Sequence, residues 1–317
     1  MKRIAISTLF LLMFAGATLF AAPQQEEGPE AAEEKTKVGV IYSTLGGAYI
    51  FNDVQYQSFY FAEQKLWQEV AEKNNFELVE IEGGVLAAGG VSAVEEMLNK
   101  QVDGIVFSFN DPAGVSSGIE SEQLGKKTAE LFREQFPDKQ ARVLISNNTA
   151  MERNKDKEEG FVDGFTGVLP EAVIVEKLSD DGTVRNVNRV VSLALNQHPD
   201  VNVLFATSDI RAFGMISAVE RTMREKKDQM ILASIGGSKR AFAEMTDPNS
   251  PWRAEAAYLL KDFVDKTWKV LNEMIQGDRP INSDEEYLIP SKIFTDPSLS
   301  EIEKYLRVHH RVKEFEY

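Results

Sequence analysis

From residue 37 onward, short apolar runs alternate with longer stretches whose apolar residues recur at helical spacing, and this alternation restricts the chain to α/β folds built on parallel sheets. Val38-Gly39-Val40-Ile41-Tyr42 reads as a first strand. Over 53–73, Phe59, Ala62, Leu66 and Val70 share one helical face. A strand over 76–81, a helix over 91–99 and a strand over 104–107 complete a βαβαβ half. Helices over 120–136, 152–165, 184–197 and 210–225 then alternate with strands over 142–146, 173–177, 202–206 and 230–235, which makes a second doubly wound half. A short helix over 239–245, an extended segment over 252–258 and a long helix over 259–275 close the body, with Gly277 and Pro280 as stop signals.

A chain of 317 residues carrying two such halves is expected to form two lobes. Ahead of them, Lys2 and Arg3 precede an apolar stretch over 4–20 that ends in Ala21 and Ala22, the order of an export signal over 1–21. The stretch is near the lower length limit for a permanent anchor, which is the alternative. Residues 22–36 are rich in Glu, Gln, Ala and Pro; without apolar side chains to offset ordering entropy they read as a disordered acidic linker. With no cysteine, neither a lipid anchor nor a disulfide can form. The expected location is therefore the periplasm, and the chain is not expected to be a lipoprotein. A net charge of −15 repels phosphate backbones and anionic membranes, which excludes nucleic acid as an expected partner.

Gly114-Val115-Ser116-Ser117-Gly118 matches a hydrolase elbow, but four residues separate Ser116 from the preceding strand, whereas the elbow needs a direct strand-to-Ser turn. His309 and His310, adjacent on a helix, would point apart, and they stand with Arg307 and Arg311 in a basic tail segment, so no metal pair is expected. Neither a metalloprotease helix, a phosphate-binding loop nor a dinucleotide fingerprint is present, and Gly83-Gly84 and Gly89-Gly90 read as loop punctuation. The expectation is a non-enzyme without cofactor or metal.

Open α/β sheets collect ligands beyond the carboxyl ends of their strands. Here those ends are 43–52, 109–112, 147–150, 208–211 and 236–239. The segments VGVIYSTLGGAYIFNDV (38–54), DGIVFSFNDPAGV (103–115), NQHPDVNVLFATSDIRAFGMISAV (196–219) and SIGGSKRAFAEM (234–245) resemble the type I periplasmic solute-binding proteins, a family that includes the ribose and galactose binders and the autoinducer-2 receptor of quorum sensing. Gly236-Gly237-Ser238 and the tail over 293–317 look closer to the last of these. The resemblance implies two Rossmann-like lobes joined by a hinge: an N-terminal lobe over 37–119, to which about 236–276 returns, and a C-terminal lobe over 120–235, to which about 277–317 returns. It further implies capture of a sugar or sugar-like molecule for the membrane permease of an ABC transporter. The alternative is a ligand-binding accessory of a membrane sensor.

Carried over residue by residue, the resemblance sets Tyr49 or Phe51 against the ligand, since an aromatic face suits a sugar's C–H edges, unless one packs under its loop. Asn110 and Asp111 offer polyol partners, or cap the next helix. Lys157 stands where relatives place a forked arginine, with Arg153 one turn earlier; both lie in the charge run 152–159, so a solvated face is the competing reading. Ser208 and Asp209 match a polar pair, Asp209 also being able to cap the following helix. Gly236 and Tyr258 stand where sugar binders carry polar contacts. Between Ile119 and Glu120 the chain is shorter than the family by about one strand of the N-terminal lobe, and the expectation is either a local rerouting of the fold or a shortened member with an incomplete ordinary site.

Overall fold

The structure is a computed structural model that describes residues 35–42, 54–82, 87–108, 118–148, 152–281 and 291–312. The first sheet contains β1 (Lys37–Tyr42), β2 (Glu77–Glu82) and β3 (Gly104–Ser108) in the order β2-β1-β3, all parallel. Helices α1 (Val54–Asn74) and α2 (Ala87–Asn99) make its crossovers. Val38, Val40 and Tyr42 of β1 point to one face, where Leu66, Trp67 and Val70 of α1 cover them, and Ile41 points to the other, against Ala93 and Met97 of α2. This is the two-faced burial that parallel strands require. Gly89 and Gly90 lie inside α2 rather than in a loop, carried by the apolar periodicity that follows them.

The second sheet is larger. Its strands β4 (Arg142–Asn147), β5 (Val173–Ser179), β6 (Val203–Ala206), β7 (Ile231–Gly236), β8 (Trp252–Tyr258) and β9 (Ser291–Thr295) run in the order β5-β4-β6-β7-β8-β9, and only β9 is antiparallel. Helices α3 (Gly118–Gln135) and α4 (Glu152–Val168) cover one face with Leu124, Phe132, Phe161 and Phe165. Helices α5 (Val184–Gln197), α6 (Asp209–Thr222) and α7 (Lys239–Thr246) cover the other, joined by α9 (Leu299–His309). Phe161 of α4 stacks on Phe205 of β6 with centroids 3.9 Å apart.

Helix α8 (Leu260–Ile275) leaves the second sheet and packs on the first, with Val264, Phe263, Trp268 and Leu271 in the core under β1. The return to the N-terminal lobe expected over about 236–276 is thus made by α8. Gly236, α7 and β8 stay with the second sheet, because β8 is buried along Ala254, Ala256 and Ala257 and pairs with β7 and β9. Among the described residues the first sheet has three strands. At the β3 edge, Ile105, Phe107, Val270 and Met274 line a groove of about 350 Å³.

Candidate functional site

In the second sheet β4 lies between β5, which follows it in the chain, and β6, from which the chain winds the other way. The carboxyl ends of β4 and β6 therefore border a switch point, where helices on opposite faces leave a crevice. Asn147 closes β4; its side-chain amide donates to Glu158 at 2.7 Å and to the carbonyl of Asn154 at 3.2 Å. Glu158, in α4, also meets Lys177 at 2.8 Å.

One residue earlier on α4, Lys157 is 1 % exposed, and its ammonium donates to the hydroxyl of Tyr258 at 3.2 Å. The charge run 152–159 is consequently divided: Lys155 and Glu159 pair on the outer face, while Lys157 and Glu158 turn inward. Three-residue and four-residue spacings put Asn154, Lys157, Glu158 and Phe161 on one side of the helix. Tyr258 ends β8 and packs against the cores of both sheets, so its hydroxyl sits where the chain crosses between lobes.

Beyond β5 and β6 a second polar group forms. The Arg211 guanidinium donates to Asp180 at 2.9 Å and to Ser208 Oγ at 3.2 Å, and Ser146 Oγ donates to the other Asp180 oxygen at 2.7 Å. Both members of this ion pair are buried. Asp180 also accepts the amide of Gly182, which fixes the turn into α5.

Asp209 faces away from that group. Ser208 is the N-cap residue of α6, not Asp209, and the Asp209 carboxyl turns inward to accept the Ser238 amide at 2.8 Å. A side chain at Gly236 would meet it, the ideal Cβ lying 2.4 Å from Asp209 Oδ1. The space that a polar side chain at 236 would need is thus filled from α6. Gly237, at φ +90, has Ala257 and the Tyr305 hydroxyl against it, a position for glycine alone. Burial raises the Asp209 carboxyl above its usual range, partly offset by its hydrogen bonds from Ser238.

Of the residues singled out from sequence, Lys157 and Tyr258 meet directly, and Ser208, Asp209 and Gly236 occupy neighbouring strand ends of the same sheet. Tyr49, Phe51, Asn110 and Asp111 lie outside the described residues, as does the side chain of Arg153, whose backbone is in α4. The export signal and nearly all of the acidic linker, 1–34, lie outside them too. Asn147 and Arg211 fall within the strand ends expected to meet ligand but have no individual role in the sequence reading, and Glu158, Asp180 and Glu255 are not singled out by it at all. His309 and His310, expected in a basic tail, are buried against Tyr305, with ring centroids 4.8 and 5.5 Å away. Among the described residues no group of His, Cys, Asp and Glu is arranged to hold a metal, and no helix is long and apolar enough to cross a membrane.

No protein-family model matches the chain, and no curated protein matches it. Solved structures do. A periplasmic solute-binding protein of an ABC transporter from Actinobacillus succinogenes, with bound D-allose, superposes with a TM-score of 0.65 at 16% identity over 86% of this chain and 100% of that one. An ABC-transporter solute-binding protein from Bacillus halodurans, with bound myo-inositol, gives 0.65 at 17% identity over 87% and 99%. An arabinose-binding protein from Geobacillus stearothermophilus gives 0.65 at 14% identity over 86% and 99%. At such identities the likeness is one of fold.

Proposed function

We propose that this chain, which has the type I periplasmic solute-binding fold, captures a sugar or sugar-like polyol between its two lobes and presents it to the permease of an ABC transporter. The observation that carries the reading is the pairing of Lys157 with Tyr258 at the carboxyl edge of the second sheet, on the hinge, in a fold whose solved neighbours hold allose and myo-inositol. A hydroxyl-rich ligand suits this edge. It would accept from the Lys157 ammonium and exchange bonds with Tyr258, Asn147 and Ser208, all of them uncharged apart from the lysine. Tyr49 and Phe51 would supply the apolar face, and Asn110 and Asp111 the partners from the first lobe. Arg153 would approach from the start of α4.

Capture and closure require no chemistry, and we assign none: ligand shifts an open–closed equilibrium by its preference for the closed form. In the same reading residues 1–21 direct export to the periplasm and 22–36 tether the lobes, 37–119 and 120–235 forming their bodies. A sensor-accessory role, resting on the autoinducer-2 receptor likeness of the tail, draws no support from the neighbours reported above.

Calorimetry and thermal unfolding of the full chain against a panel of pentoses, hexoses, inositols and alditols test the proposal. The expected result is a saturable rise in unfolding temperature with at least one of them. Absence of any heat or shift at millimolar ligand would overturn it.

A further inference from the structure

Behind the Asp209 turn lies a carboxyl group that the ligand-capture reading does not use. Glu255 is 0% exposed, in the middle of β8 between Ala254 and Ala256. Its Oε2 accepts from Trp252 Nε1 at 3.0 Å and from Ser234 Oγ, while Oε1 has no hydrogen-bond donor among the described residues. Ser234 Oγ is also 3.3 Å from Asp209 Oδ1. A hydroxyl has one proton to give, so it cannot satisfy two carboxylates at once.

No ammonium or guanidinium pairs with either carboxyl among the described residues. The groups facing them are Ser234 of β7, Ser238 of the turn, Trp252 of β8 and Tyr305 of α9, with His309 and His310 beyond Tyr305; Arg211 on α6 is engaged with Asp180. The two carboxyls are within hydrogen-bonding contact of each other; two unpaired anions so placed are not tolerable, and one proton held between them removes the repulsion.

We propose that Glu255 is held as a neutral carboxylic acid whose O–H donates to the Asp209 carboxylate, and that this bond locks the Gly236–Ser238 turn at the edge of the site. The proton sits on Oε1, the Ser234 hydroxyl gives its hydrogen to Oε2, and Asp209 is left as the acceptor for both Glu255 and the Ser238 amide. Desolvation, then the neighbouring Asp209 charge, pushes the Glu255 carboxyl well above its usual range, in the same direction. Glu255 is thus a positioning residue, whatever small molecule the chain takes.

The test uses the full chain and needs no ligand. At neutral pH the infrared spectrum should contain a protonated-carboxyl stretch that moves on transfer to deuterium oxide and disappears in E255Q. Amide exchange at Ser238 should stay slow in E255Q, whose side-chain amide still donates, and speed up on the order of tenfold or more in E255L, which fills the space but donates nothing. Unfolding of the wild type should release about one more proton than that of E255Q above the ordinary glutamate value of 4.5, so the wild-type unfolding constant rises about tenfold per pH unit relative to the variant. Absence of the protonated-carboxyl band from the wild type overturns the proposal even if a variant fails to fold. Equal exchange in E255Q and E255L, or equal proton release in wild type and E255Q, also overturns it.

Discussion

A lysine ammonium at 1 % exposure has lost nearly all its water, and such a group persists only where other polar atoms replace that water. Tyr258 supplies one partner, across the crossing between lobes. Replacing Lys157 with Met keeps the unbranched stem and removes the charge-assisted donor, worth about 1.5–3 kcal/mol when its acceptor is a buried ligand oxygen. K157M should therefore unfold cooperatively like the wild type and, under the proposed function, bind whichever sugar or polyol the wild type takes roughly tenfold or more weakly by calorimetry. Unchanged affinity would remove Lys157 from the site. That this residue could be picked out at all came from the family resemblance, which places a cationic side chain at that position of the helix. Asp180, Arg211 and Glu255 could not be picked out in the same way. Arg211 and Asp180 are 31 positions apart and meet only once the ends of β5 and β6 lie at the same edge of the sheet, and nothing in the extended segment 252–258 marks Glu255 as buried until β7 and β9 flank it. Burial of a charged residue is a property of its non-local neighbours.

Helices α3 and α4 show what periodicity can and cannot reveal. Their extents are close to the sequence expectation because the apolar stripe of each faces a sheet built from β-branched and aromatic residues. The distance between them is another matter. An ideal Cβ on Gly125 would fall 2.2 Å from the Phe161 carbonyl oxygen and one on Gly164 only 1.9 Å from that of Glu122, so the two backbones touch through paired glycines. Within a single sequence those glycines look like weak points of helices. Gly164→Ala should lower unfolding free energy by about 1–3 kcal/mol in chemical denaturation, even though alanine is the better helix former, because a backbone oxygen cannot step aside as a side chain can. A neutral or stabilising effect would mean that the helices can part without cost. The placement of β8 was illegible for a related reason. Its alanines suit a strand buried on both faces in either lobe, and only pairing with β7 and β9 decides which sheet receives it.

Across the whole molecule, α9 connects elements of both lobes, and its end is sensitive to acid. Tyr305 packs on Phe242 and Phe294 of the second lobe and donates to the Tyr258 carbonyl, while His309 accepts the amide of Lys261 at the start of α8 and Arg311 pairs with Glu69 of α1. Burial lowers His309 to about 4 and His310 to about 3, against 6.5 for free histidine. Unfolding therefore takes up protons between those values and 6.5, and stability present above pH 6.5 is lost as the pH falls through that window. Glu255 works oppositely: its raised value means that unfolding releases a proton above 4.5, so stability declines as the pH rises. Asp209, Glu244 and Asp296, whose carboxyls burial also raises, act in the same direction as Glu255. The unfolding free energy should therefore pass through a maximum, with an acid limb set by the two histidines and an alkaline limb set by release of the Glu255 proton on unfolding. Denaturant titrations across pH would measure this, with H309Q/H310F flattening the acid limb and E255Q the alkaline one. Should the double histidine variant keep the full acid limb, carboxylates and not the end of α9 would govern how acid opens the two lobes.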